Sequence, residues 1–117
     1  MMNYSHYTDN KDPIVAILLS KLFDYLDEIT NKDYVVEKKS NSLHIVKGSA
    51  FLGVHFLKTV LRINIVLDHK LDIDLPTKVD RPSKNIFHNK VDLSSIEDLI
   101  SVRKYIKEAY LRKKTLQ

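Results

Sequence analysis

The chain has 117 residues, 44% of them hydrophobic, which is enough for one core and too little for two. The absence of cysteine excludes disulfides and thiolate ligands, and two glycines are too few for a glycine-rich phosphate loop. The formal net charge of +4 hints at an anionic partner, but most of the excess sits in residues 101–117, where Arg103, Lys104, Lys107, Arg112, Lys113 and Lys114 are opposed only by Glu108.

Residues 1–12 are polar and carry Asp9 and Asp12, unlike the basic-then-apolar start of a secretion signal. They are expected to form a flexible arm, with one domain over residues 13–117. Asp12-Pro13 reads as the N-cap and first position of a helix. Val15, Leu18, Leu19, Leu22, Leu26 and Ile29 then recur at helical spacing, and residues 30–33 close the helix with turn formers. The longest apolar run, residues 14–19, is too short for a membrane span, so no membrane association and a cytoplasmic location are expected.

From residue 34 the period changes to two. Strands are predicted over residues 34–39, 43–47, 51–56 and 60–67, with Gly53 marking a bulge or a close backbone approach. Short turns between them favour antiparallel hairpins. Residues 68–83 form a charged connection with Pro76 and Pro82, in which the alternation of Leu71, Ile73 and Leu75 suggests a short edge strand. Residues 86–93 return to strand character. Ser94 and Glu97 then match a capping box opening a last helix, whose terminal cations complement the helix dipole. The expected fold class is α+β: an antiparallel β-meander of about five strands, flanked by an N-terminal and a C-terminal helix packed on one face.

Side-chain alternation sorts the strands by face. If Leu61, Ile63 and Ile65 meet the helices, Arg62 and Asn64 point away. With Phe87, Val91 and Leu93 inward, His88 and Lys90 point outward. Leu43 and Ile45 against His44, and Leu52 and Val54 against His55, divide in the same way. A face carrying His44, His55, Arg62, Asn64, His88 and Lys90 suits an anionic ligand or a nucleic-acid backbone. A solvated polar face with no ligand explains the same pattern.

Other chemistry is less well supported. His44, His55 and His88 are the plausible histidine set for a metal, but no His-x-His or His-x-x-x-His pair is present, and Arg62 and Lys90 would oppose the cation. Asp72 and Asp74 lie in a loop flanked by Lys70 and Lys78 and read as solvated. Asp68 and His69 would face opposite ways on a strand, which argues against an acid–base pair. A Gly-x-Ser-x-Gly motif is lacking. No metal or cofactor is expected.

Three segments, Ala50-Phe51-Leu52-Gly53-Val54-His55-Phe56, Leu61-Arg62-Ile63-Asn64-Ile65-Val66-Leu67 and Ser83-Lys84-Asn85-Ile86-Phe87-His88-Asn89-Lys90-Val91, are followed by Ile106-Lys107-Glu108-Ala109-Tyr110. In that order the chain resembles an uncharacterised prokaryotic family classed as a domain of unknown function. The similarity runs from Pro13 onward, with Phe56 standing where that family commonly has proline. Some members of the family accompany nuclease-like domains, and it carries no assigned activity. The resemblance implies the fold and its boundaries, and draws Asn85, His88 and Asn89 into the candidate site. The alternative for the two asparagines is a bond to loop backbone. The expected ligand-binding set is thus His55, Arg62, Asn64, Asn85, His88, Asn89 and Lys90. The leading expectation is a non-catalytic binding domain. A nucleic-acid-binding accessory domain using the same face with the basic last helix comes second, and a small hydrolase or transferase with His88 as general base comes third.

Overall fold

The computed structural model describes residues 4–115. A short helix, α1 (Ser5–Thr8), precedes α2 (Pro13–Thr30); six strands follow, β1 (Val35–Lys38), β2 (Ser42–Lys47), β3 (Ser49–Phe56), β4 (Leu61–Leu67), β5 (Thr77–Ser83) and β6 (Ile86–Leu93), and α3 (Ile96–Thr115) closes the chain. This is the α+β fold anticipated, with one strand more.

The start of α2 follows from its sequence. Asp12 accepts the Ile14 amide at its side chain and Pro13 occupies the first turn, where no N–H is needed. The helix ends at Asn31, whose left-handed φ of 52° suits asparagine. At α3 the cap lies one residue later than expected. Ser95 Oγ accepts the Asp98 amide, and the Asp98 carboxylate reaches back to the Ser94 amide, so Asp98 fills the position assigned to Glu97.

The strands pair antiparallel throughout, in the order β1-β2-β3-β4-β6-β5. β6 therefore lies between β4 and β5, and the hairpin β5–β6 places the more polar strand at the sheet edge. That edge strand was not anticipated, because Pro82 and three charges, Lys78, Asp80 and Arg81, mask it; an edge tolerates a proline whose missing N–H would otherwise face water. Conversely, the alternating Leu71, Ile73 and Leu75 form no strand. They pack half-buried against the core from the irregular connection between β4 and β5.

One face of the sheet carries the core. Leu61, Ile63, Ile65 and Leu67 of β4 are fully buried, in one cluster with Leu22 and Leu26 of α2 and Leu99 and Ile106 of α3. Both long helices contact this side. A register shift between Ile45 and Val46 sets Phe51 and Leu52 together against one stretch of β2, and both are buried, Phe51 against Tyr110 of α3. The bulge falls there and not at Gly53.

The described part of the expected N-terminal arm is not loose. Tyr7 is buried, donates its hydroxyl to the Lys39 carbonyl at 2.6 Å and stacks on Phe56. Residues 1–3 of that arm lie outside the described residues. Among the described residues no helix is long and apolar enough to cross a membrane.

Candidate functional site

The face of the sheet away from the helices is uncovered, and its register can be followed strand by strand. One row runs Glu37, His44, Gly53, Asn64, Lys90, Lys78 from β1 to β5. The next runs Ser42, His55, Arg62, Asp92, and on the other side Val66, His88 and Asp80 align. The pleat thus brings His44, His55, Arg62, Asn64, His88 and Lys90 onto one face. Gly53 lies among them without a side chain: a Cβ there would sit 3.4 Å from Asn64 Cβ and 3.8 Å from His55 Nε2.

Arg62 and Lys90 on this face have partners that the pattern of residues concealed. Arg62 forms a two-pronged pair with Asp92, Nε to Oδ1 at 2.6 Å and Nη2 to Oδ2 at 3.0 Å. Lys90 Nζ donates to Asp80 at 2.7 Å, which holds the Asp80 carboxyl below its ordinary range. The surface is accordingly mixed in charge. Partial burial lowers the His55 pKa, with further lowering from His44, Lys90 and Arg62 around it. Asn64 Nδ2 lies 2.8 Å from His88 Nδ1, while Asn64 Oδ1 is enclosed without a hydrogen-bond partner.

Two members of the expected set belong elsewhere. Asn89 alternates with His88 and Lys90, points to the helix side and is fully buried. Its Nδ2 donates to the carbonyls of Ile65 at 3.2 Å and His69 at 3.1 Å, and its Oδ1 accepts the Leu71 amide at 3.3 Å. Asn89 is therefore a brace for the chain leaving β4, with both amide protons used and the side chain buried out of a ligand's reach. Asn85 is in the turn between β5 and β6, where its carbonyl accepts from Arg112 of α3 at 3.4 Å. The basic last helix packs on the covered side of the sheet, so its cations and the open face lie on opposite sides of the molecule.

A second polar cluster escaped the strand pattern. Beyond Leu67 the backbone leaves the sheet, so Asp68 and His69 no longer point to opposite faces. His69 Nε2 lies 4.0 Å from Asp68 Oδ1 and is hydrogen-bonded to the Glu108 carboxylate of α3. The Glu108 bond, then that of the Lys70 carbonyl, raises the His69 pKa. Thirty-nine residues separate His69 from Glu108, and no spacing rule in the sequence connects them.

No protein-family model matches the chain, and searches of curated proteins and of solved structures also return no match. The chemistry of the two clusters has to carry the functional reading.

Proposed function

We propose that this chain is a non-catalytic binding domain whose open sheet face takes an anionic group. The observation that carries the reading is the one-sided packing: helices cover one face of a six-stranded sheet, and the other presents His44, His55, Arg62, Asn64, His88 and Lys90 in adjacent register rows. Arg62 and Lys90 supply fixed charge, while the histidines add ring N–H donors. The carboxylates already on Arg62 and Lys90 are compatible with this role. The single-contact Lys90–Asp80 pair is of the surface kind that contributes only about 0–1 kcal/mol, so an anion can displace its carboxylate, and Arg62 can add an Nη1 bond while keeping Asp92. The same carboxylates, and the position of the basic helix across the molecule, make a nucleic-acid strand the weaker choice. A general-base role for His88 calls for a carboxylate or nucleophile bonded to its ring; the ring bonds the amide of Asn64, and the Asp80 carboxylate across the strand pair is taken by Lys90.

The test is an NMR titration at low salt with inorganic pyrophosphate and, separately, with a short oligonucleotide. Pyrophosphate should move the His55, Asn64 and His88 resonances in a saturable manner. Unmoved resonances on this face, or shifts confined to α3, would reject the proposal. Oligonucleotide binding that weakens steeply with salt while pyrophosphate leaves the face unmoved would favour the nucleic-acid reading.

A further inference from the structure

On the covered side of the sheet, where β4 ends against α3, three side chains of metal-ligand type converge. Asp68 and His69 come from the chain leaving β4 and Glu108 from α3, and one donor atom of each lies within 4.8 Å of the others. Chemistry, as well as proximity, singles out this cluster. His69 Nδ1 is 2.7 Å from the Lys70 carbonyl oxygen. A carbonyl cannot donate, so Nδ1 carries a proton, and Nε2 is the ring nitrogen that faces the two carboxylates. Positive charge among the three holds them together, either as a second proton on the ring or as a metal ion. A second proton on the ring serves Glu108; a divalent ion serves all three donors at once. We propose that Asp68, His69 and Glu108 bind a divalent transition-metal ion of the zinc type, with the remaining coordination positions open to water.

The donor set selects the class of ion. One imidazole nitrogen with two carboxylates is a combination zinc accepts, and three protein ligands leave a position free. Calcium and magnesium favour sites made of oxygen alone, which the imidazole disfavours. The three side chains are each about half exposed, so they can swing to the bond lengths of about 2.0–2.2 Å that zinc requires.

The surroundings hold the donors in place. Fully buried Asn89 fixes the His69 carbonyl and the Leu71 amide. One turn before Glu108 on α3, the Tyr105 hydroxyl accepts the Asp72 amide at 3.2 Å and donates to the Asp72 carbonyl at 3.1 Å, and its ring meets the His69 imidazole edge-on. These contacts restrict the backbone and the ring as the outer bonds of a metal site do. Asp68 also lines an open cleft of about 530 Å³ with Asn85, Arg112 and Thr115. A ligand on the ion would find room there, with a guanidinium beside it.

The experiment is calorimetric titration of the chelator-stripped full chain with Zn²⁺, together with visible absorption spectra of its Co²⁺ form. One saturable site should appear, and His69→Gln and Glu108→Gln should each weaken it at least about tenfold. His44→Gln, on the histidine-bearing open face, should leave it unchanged. Far-UV circular dichroism verifies that the variants fold, and Asp68→Asn replaces any that does not. Absence of saturable binding by the unaltered chain overturns the proposal. Binding that survives both substitutions, or that His44→Gln reduces equally, overturns it too, since the ion would then sit elsewhere.

Discussion

Asn89 shows how much one buried polar side chain can organise. Its amide ties β6 to the backbone of Ile65 in β4 and to His69 and Leu71 beyond it, and no water reaches the group to replace these bonds. Asn89→Ala should therefore destabilise the fold by about 1–3 kcal/mol for each backbone group left buried and unpaired, measurable by urea denaturation. His55 gives a prediction in pH. Its folded pKa is lowered, first by burial and then by His44, Lys90 and Arg62, below the ordinary value of 6.5. As pH falls through 6.5 the unfolded chain takes up the proton first, so stability present above 6.5 declines until pH reaches the lowered folded value and then levels off. His55→Gln should flatten that limb of the stability–pH curve, and an unchanged curve would mean the histidine is solvated in both states. Alternation along β6, read strictly, already separates Asn89 from His88 and Lys90. Its polarity was the misleading signal, because a buried asparagine bonded to backbone and an exposed one awaiting a ligand look alike in a sequence.

At the scale of elements, β4 is the best-specified strand. Every inward position is apolar, Leu61, Ile63, Ile65 and Leu67, and these four share one cluster with residues of both long helices. Ile63→Ala should cost about 2–5 kcal/mol through lost transfer energy and the cavity left behind; a urea midpoint almost unmoved would place Ile63 outside the core. β5 illustrates the opposite case. An edge strand has hydrogen-bonding neighbours on one side only, so neither apolar alternation nor freedom from proline is demanded of it. The alternation of Leu71, Ile73 and Leu75 has another origin, the half-burial of an irregular segment against a finished core. Period two reports burial on one side, and strand pairing is only one way to produce it.

At the scale of the molecule, the hydrophobic cluster runs from Tyr7 of α1 to Tyr110 of α3, so the described residues ahead of α2 belong to the folded unit. Tyr7→Ala removes a buried ring and its bond to the Lys39 carbonyl. It should cost about 3–5 kcal/mol, as truncations of buried aromatic residues do, with the loss read from a thermal or urea melt. A change within a few tenths of a kcal/mol would return this segment to the status of a loose arm. The same architecture separates two chemistries: the mixed-charge open face lies on one side of the sheet, and the Asp68–His69–Glu108 cluster with the basic side of α3 on the other.

The sequence by itself determined the α+β class, the cap of α2, the antiparallel hairpins through β4 and the division of His44, His55, Arg62, Asn64, His88 and Lys90 from the core. Each of these depends on local geometry, a period of two or 3.6 or the conformational preference of a few residues. Tertiary structure alone decided the insertion of β6 between β4 and β5, the pairing of Arg62 with Asp92 and of Lys90 with Asp80, and the meeting of Asp68 and His69 with Glu108. The Arg62–Asp92 and His69–Glu108 contacts join residues far apart in the chain, and all these partners are set by register or by the packing of α3 on the sheet, which no local pattern encodes.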